Sequence, residues 1–251
     1  MKSLCISIVS HGHESMVKKL IKQLFALNEY IEIILTINLS ESFLDFSHNR
    51  LKIIRNKSPK GFGENHNAAF HIVNTKYFCV LNPDIEFIDD PFPELIRHME
   101  KYNASLIAPT VYSKNNILED NIRYFPTVFS LVKKYLKSDY GVYKTSLDDL
   151  SCFYSEWVAG MFMLFKADDF KSIGGFDKKF FLYYEDVDIC ARLWKVNMKI
   201  VACPSVKVIH DAQRTSRQNL RYAMWHARSM IRYFIKYTGR LPKIPKITSH
   251  A

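Results

Sequence analysis

The stretch GFGENHNAAFHIVNTKYFCVLNPD, Gly61 to Asp84, reads as a turn, a helix, a strand and a second turn. Gly61 and Gly63 punctuate the first turn, and Glu64 to Val73 has helical character. Tyr77 to Leu81 is an unbroken apolar run of strand length that stops at Asn82-Pro83. The same alternation continues in both directions. Leu4 to Val9 suits a buried strand, and Val17, Leu20, Ile21, Leu24 and Leu27 follow it at helical spacing. Ile31 to Ile37 and Leu51 to Ile54 are further strands, a helix opens at Pro91 or Pro93 and runs to about Tyr102, and Leu106 to Pro109 is one more strand. Strands alternating with helices predict an α/β fold with a mostly parallel central sheet, flanking helices and right-handed crossovers.

The rhythm changes between Tyr112 and Glu156, where polar, aromatic and short apolar pieces mix and Phe129 to Tyr135 fits a short helix. Such an excursion from a sheet often shapes a substrate pocket. Trp157 to Phe165 returns to strand character, and Asp186 to Val196 reads as a helix with Val187, Leu193 and Trp194 facing inward. Ile200 to Ala202 and Val206 to Ile209 read as short strands ending at His210, and Arg214 to Tyr237 as a helix.

A chain of 251 residues, 48% of them apolar, can bury a real core as one large domain or two small ones. Five cysteines are dispersed and odd in number without a CxxC pair, and Cys5 and Cys79 fall inside strand-like runs, so buried thiols in a reducing compartment are expected. The apolar start MKSLCISIVS is too short to span a membrane and lacks a signal-peptide cleavage pattern, which predicts a soluble or peripheral protein. The net charge of +10 is concentrated after Asp211, beyond which there is no acid. That tail carries Arg214, Arg217, Arg221, Arg228, Arg232, Lys236, Arg240, Lys243 and Lys246, a distribution open to nucleic acid, anionic lipid or a phosphorylated substrate.

Ligands of an α/β sheet bind beyond the carboxyl ends of its strands. Ser10 and His11 follow the first strand, Asn38 and Ser40 the second, Gly61-Phe62-Gly63 the third, and Asn82 and Asp84 the fourth. Four such groups in register predict a nucleotide-sized crevice. GFGEN lacks the lysine and hydroxyl of a Walker loop and the third glycine of a dinucleotide fingerprint. Its glycines can still bring backbone close to a ligand at a helix start; the alternative is an ordinary turn, with Asn65 and Asn67 as surface caps. Asn82 and Asp84 point the same way in an extended segment and offer oxygen to a hard cation; the alternative is an Asn-Pro turn with Asp84 as a solvated cap. His210 is either a ligand or a structural histidine, with Asp211 beside it to orient the ring or cap a helix. His11, His13, His66 and His210 have no zinc-site spacing, so a catalytic zinc centre is excluded.

A second acidic cluster lies in GGFDKKFFLYYEDVD, Gly174 to Asp188, which ends in Glu185, Asp186 and Asp188. An acidic first helical turn, favoured by the dipole, is the plainer reading. Together with Asp84 the cluster fits a division of labour in which one site neutralises a departing diphosphate and another carboxylate deprotonates an attacking hydroxyl. Paired carboxylates also serve glycoside hydrolysis, but the strand-end crevice favours sugar transfer from a nucleotide.

IVSHGHE, GFGENHN, VLNPDIEF, WVAGMFML and GGFDKKFFLYYEDVDICARL followed by VKVIH, taken in order, resemble inverting family 2 glycosyltransferases of GT-A fold, nearest to bacterial rhamnosyltransferases of O-antigen and polysaccharide assembly. The resemblance spans about Ile6 to Tyr237. It implies a Rossmann-like sheet, with residues 1–212 as the transferase domain. Of these, 1–110 would be the nucleotide-sugar half and 111–212 the acceptor half, with 213–251 a basic helical tail. It places Ser10, His11, Glu14, Asn38, Gly61, Gly63 and Asn67 along the donor, and Asn82 and Asp84 at the motif that binds metal and diphosphate. His210 would help hold an Mg²⁺ or Mn²⁺ ion. Trp157, Gly160 and Asp188 would border the sugar and acceptor pocket, with Asp188 bracing it, and Asp186 would be the catalytic base with Glu185 beside it. Relatives often carry Asp-Asn where this chain has Ile37-Asn38, and Asp where it has Asn82.

The implied reaction moves L-rhamnose from dTDP-rhamnose to an undecaprenyl-diphosphate-linked sugar on the inner face of the bacterial cytoplasmic membrane. The same fold with UDP-galactose or UDP-glucose, and a non-catalytic sugar or nucleic-acid binding protein, are the alternatives. Arg221, Arg228, Arg232 and Lys236 fall near one helical face with Trp225 among them, while Leu220, Ala223, Ala227, Met230, Ile231 and Phe234 supply an apolar side. That pattern suits an anionic lipid surface, although a solvated helix packed on the domain would share it. No nucleic-acid reader motif accompanies the charge, so nucleic acid is not expected as a partner.

Overall fold

Leu4–Ser10 (β1) is buried along almost its whole length because it pairs on both sides, in parallel, with Ile31–Ile37 (β2) and Tyr77–Leu81 (β4). A parallel strand covered on both faces reads as a continuous apolar run, as both β1 and β4 do. Leu51–Arg55 (β3) extends the parallel edge beside β2. Glu14–Leu27 (α1) covers one face with Val17, Leu20, Ile21 and Leu24. Phe62–Phe70 (α2) crosses between β3 and β4, starting two residues earlier and ending three earlier than the sequence suggests. The computed structural model describes residues 3–39, 47–131, 151–211 and 220–245.

After Ile85–Glu86 (β5) and Phe92–Lys101 (α3), the long strand Ala104–Ser113 (β6) is followed by Ile122–Arg123 (β7). Helical backbone occupies 128–131, while the rest of the expected Phe129–Tyr135 helix lies outside the described residues. Phe153–Tyr154 (β8) and Trp157–Val158 (β9) lead into Phe162–Lys166 (β10), Ala167–Ser172 (α4), Glu185–Lys195 (α5), Lys199–His210 (β11) and Leu220–Tyr237 (α6). The main sheet has the order β3-β2-β1-β4-β10-β6-β11-β5, with β8 also on β11, and β7 pairs with β9.

The sheet is mixed rather than mostly parallel. β10 runs antiparallel between β4 and β6, and β5 and β8 run antiparallel to β11. A chain that returns from a loop excursion meets the sheet from its opposite end and needs no crossover helix. The expected Trp157–Phe165 strand is two strands, broken around Gly160. The two short strands before His210 are one, with a register shift between Cys203 and Lys207 around Pro204, which has no N–H to give a ladder.

α6 docks on the domain through Ser229, Tyr233 and Tyr237. Ser229 Oγ donates to Leu182 O at 2.8 Å, and Tyr233 Oη to Pro126 O at 3.1 Å. Its faces differ from the expected ones. Met230 and Phe234 pack on the core, and Lys236 turns inward to Asp177 and Asp188 at 3.2 and 2.6 Å. Leu220, Met224, Ile231 and Ile235 are the exposed large apolar side chains of α6, and Ala223 and Ala227 are exposed as well. No helix among the described residues is long and apolar enough to cross a membrane.

Candidate active site

The carboxyl ends of β1, β2 and β4 open into a cavity of about 390 Å³ lined by His11, Asn38, Lys60, Phe62, Asn82 and Asp84. A second cavity of about 600 Å³ adjoins it, lined by Arg123, Trp157, Gly160, Tyr183, Glu185 and Asp186. Both touch Phe62, Asn82, Leu182 and Tyr183, so the two acidic sites lie on one divided cleft. A larger cavity, about 840 Å³, lies instead by Lys76 at the amino end of β4, away from these groups.

On the first side polar groups hold one another. Asn38 is buried; its Nδ2 donates to Lys60 O at 2.9 Å and lies 3.1 Å from His11 Nδ1, while its Oδ1 accepts from Lys60 N and Asn56 Nδ2, each at 2.8 Å. Asn82 N–H donates to Met161 O at 3.0 Å, fixing the turn after β4. Asp84 Oδ2 meets His210 Nε2 at 3.0 Å, and Glu119 Oε2 meets His210 Nδ1 at 2.6 Å. Burial pulls the imidazole pKa down, but the flanking carboxylates outweigh it and hold it at about 9. Asp211 does not orient the ring, since its carboxylate pairs with Lys114; Glu119, far away in sequence, takes that place.

Asp84 Oδ1 is buried with no partner among the described residues, an unusual state for a carboxylate oxygen. With His210 Nε2 it forms an oxygen-and-nitrogen donor set open to a divalent cation, and the Glu119–His210 bond is the support that metal-ligating histidines commonly have. The residues therefore fit a cation in place of the Nε2 proton.

Several expected donor residues serve packing. Added Cβ atoms at Gly61 and Gly63 would sit 2.5 Å from Phe181 O and from Phe176 Cβ, so these glycines admit the 174–184 loop against α2. Asn67 clamps that loop, its amide donating to Phe176 O at 2.8 Å and its Oδ1 accepting from Phe176 N at 2.9 Å. Ser10 is buried with its Oγ toward His13 N, and Glu14 pairs with Lys18 at 2.6 Å on the α1 surface. Neither Ser10 nor Glu14 lines the cleft.

The second side is built at the start of α5. Tyr183 and Tyr184 have φ of 68° and 65°, the left-handed region that residues with a Cβ enter at a cost. Asp186 Oδ1 accepts from Val187 N at 2.8 Å and Oδ2 from Gly160 N at 3.0 Å. A side chain at Gly160 would press on Phe62 at 3.1 Å, so this glycine lets aromatic wall and carboxylate meet. Burial raises the pKa of both Glu185 and Asp186, with the neighbouring charge adding to it at Glu185. Asp186 has two backbone donors that lower its pKa, whereas Glu185 Oε2 has no partner among the described residues, so the pair favours the charge on Asp186 over Glu185. Trp157 is fixed by Nε1 donating to Tyr124 O at 2.9 Å, and Arg123 stacks 5.5 Å above its ring.

Asp188 is not a cleft residue. It is fully buried, bound by Arg192 Nε at 2.8 Å, Lys236 Nζ at 2.6 Å and Tyr237 Oη at 2.8 Å. Two residues on from Asp186 a helix has turned by about 200°, so one acid faces the cleft and the other faces α6. Lys60, Glu119, Arg123 and the Tyr183-Tyr184 backbone are the parts of the site that sequence reasoning misses. The first three come from loops and short strands with no spacing signal, and positive φ at tyrosine has none.

The sequence matches the model for glycosyl transferase family 2 over residues 5–171 and that for the N-terminal domain of galactosyltransferase over 144–218. Rhamnosyltransferase WbbL of Escherichia coli (strain K12) is 30% identical over 246 residues, 92% of each chain. An N-acetylglucosaminyl-diphospho-decaprenol L-rhamnosyltransferase of Mycobacterium tuberculosis (strain ATCC 25618 / H37Rv) is 36% identical over 74 residues, 29% of this chain and 24% of its own. The crystal structure of GalNAc-T7 with UDP, GalNAc and Mn²⁺ superimposes with a TM-score of 0.65 at 15% identity, covering 84% of this chain and 44% of that one. The mixed sheet is thus a GT-A-like fold. A family model over more than half of the sequence and a relative matched through nearly all of both chains decide the matter: the chain belongs to glycosyl transferase family 2, a glycosyltransferase homologous to bacterial rhamnosyltransferases such as WbbL.

Proposed function

We propose that the enzyme transfers L-rhamnose, with inversion, from dTDP-rhamnose to a sugar on undecaprenyl diphosphate during cell-surface polysaccharide assembly. One observation carries the reaction type. A half-buried carboxylate with two backbone donors, Asp186, faces a cavity that meets the Asp84 cavity across Asn82 and Phe62. The sugar and the lipid carrier rest on the relatives, one named a rhamnosyltransferase and one a diphospho-decaprenol rhamnosyltransferase.

In this reading residues 1–110 hold the nucleotide sugar and 111–212 the acceptor. Asn38, His11 and Lys60 face the nucleotide. Asp84 and His210 hold Mg²⁺ or Mn²⁺, which when bound offsets the negative charge of the diphosphate. Trp157 and Arg123 wall the acceptor side. Asp186 takes the proton of the attacking hydroxyl, and Glu185, kept neutral, donates a hydrogen bond rather than competing as a second base.

Residues 213–251 serve membrane contact. On α6 the exposed Leu220, Met224, Ile231 and Ile235 fall within about 60° of one another at 100° per residue, with exposed Arg221, Arg228 and Arg232 alongside. An apolar stripe beside arginines suits an anionic bilayer, which would hold the enzyme at the inner face of a bacterial cytoplasmic membrane. A second reading, UDP-galactose or UDP-glucose as donor, is favoured by the match to a galactosyltransferase domain over 144–218. Calorimetric titration with dTDP-rhamnose, UDP-galactose and UDP-glucose, with and without Mg²⁺ or Mn²⁺, followed by product analysis, decides between them. Tight, productive binding of dTDP-rhamnose is expected; a preference for either UDP sugar overturns the rhamnose assignment.

A further inference from the structure

Far from the cleft, three side chains distant in sequence converge. Cys152 precedes β8, Cys203 sits in β11 at its register shift, and His98 is in the last turn of α3. One ligand atom from each lies within 4.8 Å of the others, and the two sulfurs are 3.0 Å apart. Both thiols are buried, and both cysteines are free.

His98 supplies a second observation. Its Nδ1 is buried with no partner among the described residues, while Nε2 meets the Glu94 carboxylate at 2.8 Å. An Arg97 N–H also lies 2.8 Å from Nε2, but that guanidinium already gives two bonds to Glu94. With the Nε2 proton donated to Glu94, the buried Nδ1 carries the lone pair. Either tautomer leaves Nδ1 unsatisfied in the chain alone, a state that a bound ion removes. A carboxylate on the far nitrogen of an imidazole is the usual support of a histidine metal ligand.

We propose that His98, Cys152 and Cys203 form a structural zinc site, with water as a fourth ligand. Zn–S of about 2.3 Å and Zn–N of about 2.0 Å in a tetrahedron put ligand atoms about 3.5–3.8 Å apart; the three groups lie within 4.8 Å of one another, and the two sulfurs, 3.0 Å apart, would separate by somewhat under about 1 Å on binding. Soft thiolates select zinc over the hard cation suited to Asp84. Cys203 lies seven residues before His210 on one strand, on the order of 20 Å away. The site is therefore separate from the active site, and it ties α3 and the chain entering β8 to β11 where Pro204 interrupts the ladder.

The test is metal analysis of the untagged full chain, purified without chelators under reducing conditions. About one zinc per chain is expected, and cobalt exchange should give a thiolate-to-cobalt absorption band. Cys203→Ser should lose both, Asp84→Asn neither, and Glu94→Gln should weaken zinc about 10–100-fold in chelator competition. Should Cys203→Ser not fold, wild-type protein decides: zinc should shield Cys152 and Cys203 from maleimide under mild denaturant. Metal-free protein that gives no cobalt–thiolate band, or a Cys152–Cys203 disulfide in the intact mass, overturns the site.

Discussion

Asp84 and Asp186 face the same cleft from opposite sides and are held in opposite ways. Asp84 lies in the turn after β4 and meets a cationic partner, His210, braced by Glu119. Asp186 opens a helix, has backbone donors alone among the described residues, and sits beside a second carboxyl, Glu185, whose pKa burial raises. In the proposed mechanism the first environment holds positive charge and the second makes one carboxylate a better base than a solvated aspartate. Sugar transfer by that mechanism needs both, and the contrast can be broken one side at a time.

The largest effect is expected on the base side. Asp186→Asn should lower turnover about 10²–10⁴-fold, the usual worth of a positioned general base. Donor affinity, measured by calorimetry, should stay within about twofold. Loss of donor binding instead would move Asp186 to the nucleotide side and erase the contrast.

Asp188→Ala should act on stability. Removing the centre of a buried ion network leaves Arg192 without a carboxylate and Lys236 with Asp177 alone, and costs about 3–5 kcal/mol. At about 2–4 °C per kcal/mol for a chain of this size, the melting temperature should fall by about 6–20 °C. Turnover per folded molecule, measured well below that temperature, should change far less than in Asp186→Asn. Equal loss in the two variants would return Asp188 to the site.

These two residues also show where sequence reading stops. Strand ends are legible because an apolar run has a visible end, so the residue pattern alone groups His11, Asn38, Asn82 and Asp84. β10 could not be oriented, because an apolar strand reads alike in either direction. Gly61, Gly63 and Asn67 looked like ligand contacts, because close packing of a loop and close approach of a ligand demand the same residues. Among Glu185, Asp186 and Asp188 the roles follow from helical turn and from what packs on each face. The partner of Asp188, Lys236, lies 48 residues further on.

On the cation side, Glu119→Gln should weaken Mn²⁺ binding about 10-fold by loosening His210, with turnover near normal at saturating metal. Titration of activity against Mn²⁺ reads both quantities. A fall in maximal turnover with unchanged metal affinity would show that Glu119 does not act through His210.

The smallest effect concerns the proton on Glu185. Its pKa is raised in the fold, first by burial and then by the charge of Asp186. A carboxyl of raised pKa gives stability that is fully present below its unfolded pKa, near 4.3, and lost as pH climbs through the folded value. Glu185→Gln keeps the shape and removes the titration. It should therefore raise the melting temperature by a few degrees at pH 8, on the order of 1 kcal/mol, with the difference shrinking toward pH 4. A pH-independent difference would mean that Glu185 is not the protonated member. In that case Asp186 would hold the proton, and the division of roles within the first turn of α5 would reverse.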